Sequence, residues 1–305
     1  MRPAARESIR AARGHSLVTD WIELTKLRLA SFVALAAFVG ALLASGPAGD
    51  LALALEATFW ITCSAAAGGV LNQVLERDSD RLMRRTQDRP LPAGRVSMRD
   101  AILAAAVLGT AAVVGLALRF NLLAALLAAS ALFTYVAVYT PLKRVSTLNT
   151  LVGSLSGAAP PLIGYAALSG TVEGWAPALF AIVFAWQFPH FMAIAWLHRA
   201  DYRRAGMAML PALDDGEPAA GRQALLYGLV LLPVSLLPAL WLLAGPVYVT
   251  GALLLGSGYC AAALRFAWTQ SEASARLLLG ASLAYLPLFL SLVLFDQALR
   301  LSASA

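Results

Sequence analysis

The amino-acid sequence predicts an all-α, polytopic membrane protein of nine transmembrane helices in a bundle, with its active-site loops on the cytoplasmic face. Three observations lead there. Apolar residues make up 60% of the chain against 13% charged, and the mean hydropathy of +0.72 lies far outside the range of soluble domains. Nine apolar runs, each near the ~20 residues needed to cross a ~30 Å hydrocarbon core, are spaced along the chain. The basic residues fall almost wholly to one side of those runs.

In chain order, residues 1–28 read as a cytoplasmic tail. It holds Arg2, Arg6, Arg10 and Arg13 with no apolar core, which excludes a secretory signal peptide. An Arg-rich start also imitates a short mitochondrial transit peptide, but the cell inner (plasma) membrane is the preferred location. The runs follow at 29–45, 51–71, 101–118, 122–139, 148–168, 175–197, 224–244, 247–266 and 277–299. They form one transmembrane domain over 29–299, leaving 300–305 as an external tail. Alternating the sides puts 21 of the 23 Lys and Arg in the cytoplasm, with only Arg119 and Arg300 outside. The N-terminus is therefore expected inside and the C-terminus outside. That distribution accounts for the net charge of +6, and with no aromatic–basic module present nucleic acid is not a partner. Cys63 and Cys260 lie in separate apolar runs with no metal-ligand spacing and read as small buried residues.

The long connections are all cytoplasmic, and the first carries the chemistry. Directly after an apolar run come NQVLERDSDRLMRRTQDRPLPAGRVSMR, residues 72–99. On a continuing helix Asn72, Glu76 and Asp80 stand four apart on one face, whereas Asp78 joins them only if the helix loosens. An oxygen-rich site of this kind suits Mg²⁺ bound to a diphosphate, because magnesium takes a few carboxylates and keeps its other positions for water and phosphate. Arg77, Arg81, Arg84, Arg85 and Arg89 are interleaved, and guanidinium groups grip phosphate oxygens bidentately. A solvated cytoplasmic loop would also be basic, but polar groups at the end of an apolar helix are costly without a use.

A second loop, at 199–222, repeats acid among arginines with Asp201, Arg199, Arg203 and Arg204, so the two loops are expected to face each other as halves of one site. Asp214 and Asp215 there also fit an ordinary turn. Lys143, Arg144 and Asn149 come from a third loop. Gly153 and Gly157 permit close helix packing, and Pro160–Pro161 should interrupt their helix and free carbonyls. His190, inside the sixth run, is an intramembrane ionisable group and a candidate haem ligand, with His198 a weaker one. Tyr135, Tyr139, Trp186, Phe188 and Phe191 offer π faces to a carbocation, or simply form the interfacial aromatic belt.

These residues resemble the intramembrane aromatic prenyltransferases and, within them, the protohaem IX farnesyltransferase (haem O synthase) branch. The superfamily's N-x-x-x-D-x-x-x-D appears as Asn72, Glu76 and Asp80, with glutamate for the first aspartate. The haem branch is marked by Asp78, by R-T-x-x-R-P-L-P-x-G at Arg85 to Gly94, and by YTPLKR, PPLIGY, PHF and DYRRAGMAMLP further on. Ala200–Asp201 stands where the family often carries two adjacent aspartates. The resemblance implies a nine-helix bundle around a membrane cavity, with haem B and farnesyl diphosphate as substrates in the bilayer and Mg²⁺ as cofactor. It assigns Asn72, Glu76, Asp80 and Asp201 to catalysis, and these with Asp78 to the metal. Diphosphate would be held by Arg77, Arg81, Arg85, Arg89, Lys143, Arg144 and Arg203, and haem by His190 and Asn149. A haem A synthase and a second copy of the chain are candidate partners. The rival within the fold is a prenyltransferase of a quinone precursor such as 4-hydroxybenzoate. A transporter would instead need charge near mid-membrane.

Overall fold

The computed structural model describes residues 16–46, 49–213 and 218–304, and every regular element among them is helical. The helices are α1 Leu17–Leu24, α2 Leu27–Ala44, α3 Leu51–Arg81, α4 Met98–Arg119, α5 Leu122–Phe133, α6 Asn149–Ser169, α7 Trp175–Leu197, α8 Ala219–Leu240, α9 Pro246–Thr269 and α10 Glu272–Ser304. Eight described helices are long and apolar enough to cross a membrane, and the count is nine when α1 and α2, bent by 55°, are taken together as one span. The chain is a multi-pass membrane protein. The arginines at 2, 6, 10 and 13, His15, Asp214 and Asp215 lie outside the described residues.

Helix starts follow ordinary capping chemistry. Asp50, Ser97 and Asn121 each accept a backbone N–H of the first turn, opening α3, α4 and α5. Asn121 also donates to the carbonyls of Ala166 and Ala167, which ties the start of α5 to the end of α6.

Three expectations about the helices change, and one, that the helix carrying Asn72 continues beyond its apolar run, holds. The expected tail contains α1, and α10 continues to Ser304 where an external tail was expected. α3 runs ten residues past its apolar segment, because Asn72, Gln73, Glu76, Ser79 and Asp80 are buried against protein and find partners there. α6 passes through Pro160 and Pro161 without interruption. Both prolines are buried, and the backbone of Pro161 packs directly on α2: a Cβ at Gly40 would stand 2.8 Å from the Pro161 carbonyl carbon, and one at Gly164 would stand 2.9 Å from that of Ala37. One glycine on each helix, Gly40 against Pro161 and Gly164 against Ala37, lets the two backbones come this close. Gly153 and Gly157 do mark tight packing, but what fills the space is the ring of Tyr139 and the amide of Gln187.

α5 carries one irregularity. At Thr134–Tyr139 it widens to a π-helical turn before ending in Thr140–Leu142, and the N–H and hydroxyl of Thr140 both donate to the Tyr135 carbonyl. Around these elements α3 touches α2, α4 and α6, while α7 packs among α6, α8 and α10. The larger core joins α7 to the last three helices through Leu179, Tyr248, Tyr259, Phe266 and Phe289.

Candidate active site

On α3, Asn72, Glu76 and Asp80 are all buried on the face that turns inward, as their four-residue spacing predicts. Each is met by a basic side chain from another segment. Lys26 Nζ donates to Asn72 Oδ1 at 2.6 Å, Lys143 Nζ to Glu76 Oε1 at 2.8 Å, and Arg89 to Asp80 Oδ2 at 2.9 Å. Burial works against the Lys143 charge, but its ammonium is held above the ordinary lysine range, with the Glu76 carboxylate bonded to it favouring the charged form. Its Nζ also stands 4.5 Å over the Tyr139 ring.

Local structure explains why these groups converge. Lys26 takes a left-handed conformation, φ 51°, at the break between α1 and α2, and its stem crosses α3 at Gly69, 3.5 Å from where a Cβ would stand. The widened turn of α5 puts Tyr135 beside Lys26, Nζ to hydroxyl 3.5 Å, and Thr140 under Asn72, whose amide donates to the threonine hydroxyl at 3.1 Å. Thr86 donates to the Asp80 backbone carbonyl and folds the loop so that Arg89 returns to the same carboxylate.

The two loops do face each other. The backbone N–H of Arg84 donates to Asp201 Oδ1 at 3.3 Å, and Arg85 donates to the Tyr202 hydroxyl at 2.6 Å while lying 4.6 Å over that ring. Met83 packs with Tyr202, Met207 and Met209. Asp201 is also paired with Arg204.

Other expected site residues lie elsewhere. Asp78 is 85% exposed and offset to Arg81, since α3 stays regular and does not loosen. Arg77 and Arg81 follow Glu76 and Asp80 by one position, about 100° round the helix. They reach instead the Met98 sulfur and the Pro92 carbonyl. Arg144 caps the Leu75 carbonyl from outside, and Arg203 donates to the Ala212 carbonyl of the turn Leu210–Leu213. Asn149 is fully buried with its amide committed to the carbonyls of Ser146 and Ala208, so it braces the second loop rather than facing a ligand. His190 sits apart on α7, stacked on Trp186, with Nδ1 2.7 Å from the Ser282 hydroxyl of α10. Phe188 is stacked on Tyr227 in the core, so among the aromatics it is Tyr135 and Tyr139 that stand at the acids.

Lys26 was not singled out by sequence reasoning, and Thr86 and Thr140 entered it only as members of the R-T-x-x-R and YTPLKR motifs, with no role given to either. Lys26 counted only as a tail charge, although its place just ahead of an apolar run was a signal.

Among the described residues no three His, Cys, Asp or Glu side chains are grouped closely enough to form a ready-made metal cage. The donor set still fits a metal that completes its shell with phosphate. Asp80 Oδ1 is buried and has no hydrogen-bond partner, an anionic oxygen left for a cation, and Glu76 and Asn72 continue the same face.

The sequence pattern of the UbiA prenyltransferase family matches residues 33–293. A protoheme IX farnesyltransferase of Solibacter usitatus (strain Ellin6076) is 40% identical over 289 residues, covering 91% of this chain and 98% of the relative. Two solved structures share the fold. A UbiA homologue from Aeropyrum pernix K1 superposes with a TM-score of 0.71 at 22% identity, over 88% of this chain and 97% of the other. One from Archaeoglobus fulgidus, bound to DMAPP and Mg²⁺, gives 0.66 at 17%, over 92% and 99%.

Proposed function

The chain belongs to the UbiA prenyltransferase family, and from that premise we propose that it farnesylates haem B to haem O, using farnesyl diphosphate and releasing diphosphate. The observation that carries the reading is the buried line Asn72, Glu76 and Asp80, each met by a basic side chain and ending in an unpartnered carboxylate oxygen, in a chain 40% identical to a protoheme IX farnesyltransferase along nearly its whole length. No observation favours 4-hydroxybenzoate or another quinone precursor.

Asn72, Glu76 and Asp80 would hold Mg²⁺, with Asp201 contributing from the facing loop. When bound, the metal supplies positive charge for the departing diphosphate. Lys26, Lys143 and Arg89 are within reach of the same place and grip the phosphate oxygens, so the electron pair of the allylic C–O bond leaves with a stabilised anion. Arg85 extends this positive rim toward Tyr202. Tyr135 and Tyr139 face the acids and present π density to the farnesyl cation. The π pair of a haem vinyl group then forms the new C–C bond, leaving a positive charge on the carbon next to the porphyrin. Water adds there and loses a proton, giving the hydroxyethylfarnesyl group.

His190 is assigned to haem. The Ser282 hydroxyl donates to the Leu279 carbonyl at 2.6 Å, which leaves its oxygen to accept from His190 Nδ1–H and gives Nε2 the free lone pair. We place the protein in the cell inner membrane, N-terminus in the cytoplasm, on the distribution of its basic residues. The test is product analysis: purified protein with haem B, farnesyl diphosphate and Mg²⁺ should yield haem O, and failure of haem to be consumed while another aromatic acceptor is prenylated would refute the assignment.

A further inference from the structure

We propose that Asp20 is a positioning residue for the diphosphate half of the site: through Arg95 it fixes the loop that presents Arg89, and through α1 it fixes Lys26 over Asn72. This rests on the reading above, that Arg89 and Lys26 grip diphosphate.

Asp20 is only 2% exposed, and a carboxylate buried without a partner is strongly disfavoured. Arg95 Nε meets it at 2.9 Å, and another nitrogen of the same guanidinium donates to the Asp88 carbonyl at 2.9 Å, the peptide immediately before Arg89. One planar cation thus bridges α1 to the loop backbone at the residue that matters. The loop between is stiff. Pro90, Leu91 and Pro92 are buried, the N–H groups of Arg95 and Val96 both donate to the Pro90 carbonyl, and Leu91 and Val96 pack with Leu24 of α1.

At the other end of α1, Gln73 donates to the Leu24 carbonyl at 2.8 Å, so the last turn is capped by the neighbour of Asn72. The chain then turns through left-handed Lys26, whose ammonium lands on Asn72. α1 is therefore a strap between two basic side chains of one site, joined to each by a specific polar contact.

The test compares Asp20→Asn, Asp20→Glu, Arg95→Lys and Arg89→Ala by titration of the full-length protein with farnesyl thiolodiphosphate, a non-reactive analogue, and separately with haem B. A melting curve is taken for each. Losing one charge-assisted hydrogen bond should weaken analogue binding about tenfold in Asp20→Asn. Arg95→Lys, which keeps the charge but cannot make both bonds, should behave likewise. Haem affinity should be unchanged in both, and Asp20→Glu should restore analogue binding. A joint fall in analogue affinity, haem affinity and melting temperature would make the pair a general stabiliser and overturn the proposal, as would normal analogue binding in both variants. Weak binding in Arg89→Ala with normal binding in Asp20→Asn overturns the strap alone. Normal binding in Arg89→Ala overturns the diphosphate reading of the loop as well.

Discussion

Replacing Asp80 by asparagine should nearly abolish turnover while leaving the protein folded. The carboxylate is fully buried, one oxygen bound to Arg89 at 2.9 Å and the other without a hydrogen-bond partner. Asparagine keeps the shape and can still accept from Arg89, so what is lost is one negative charge aimed at the metal and diphosphate. Electrostatic groups of this kind are worth about 10²–10³ in rate, or ~3–4 kcal/mol of barrier. For stability the terms oppose each other. Weakening a charge-assisted hydrogen bond costs about 1 kcal/mol, with the Arg89 side chain still 26% exposed and able to take water. Removing a buried charge relieves a desolvation penalty of similar order. The melting temperature should therefore stay within about 4 °C of the parent. The assay is farnesylation of haem B by purified protein at saturating substrates, with a melting curve alongside. Asp78→Asn is the matched control, because that side chain is 85% exposed on another face, and it should change turnover less than twofold. Normal turnover in Asp80→Asn, or equal damage from Asp78→Asn, would refute the assignment of the inward face.

Three further outcomes follow from the packing, the haem assignment and the charge distribution. Gly40→Ala drives a methyl into the Pro161 carbonyl and should cost about 1–3 kcal/mol of stability. Gly280→Ala, with nothing near its Cβ, should be neutral or slightly stabilising in the same melting assay. His190→Ala should weaken haem binding while the diphosphate analogue binds normally; equal loss of both with lowered stability would return the histidine to the core. A reporter fused after Gly94 should register as cytoplasmic and one at the C-terminus as external, and finding both on one side would mean a span is miscounted.

The helices were legible because hydropathy is a local property of the chain. So was the acid line, since a four-residue repeat on a helix specifies a face without reference to anything else. Partners were harder. Whether a cation near that line points to it depends on 100° of helix rotation, which separates Arg77 from Glu76 and Arg81 from Asp80 though each pair is adjacent in sequence. Lys26 was hidden for the opposite reason, reaching Asn72 from 46 positions away through a left-handed turn that no motif announces. Asn149 looked available until two backbone carbonyls were found to use its amide. Pro160 and Pro161 did not break α6, which is buried at both prolines and packs backbone to backbone on the neighbouring helix through Gly40 and Gly164.

The length of α3 has a consequence for how substrates arrive. Its 31 residues extend about 46 Å, some 16 Å more than a ~30 Å hydrocarbon core. Measured from its N-terminal end, Asn72 comes at about 32 Å and Asp80 at about 44 Å, so the line from Asn72 through Glu76 to Asp80 begins at the headgroup layer of the adjoining leaflet and ends beyond it. A prenyl diphosphate dissolved in that leaflet already carries its phosphates at this depth, level with those of the surrounding lipids. It can reach the acids by sideways diffusion alone, its tail staying in hydrocarbon and its phosphates staying wet until lysine and arginine replace the water. A soluble diphosphate, with no tail to hold it in the plane, would have to find the same residues from the aqueous side.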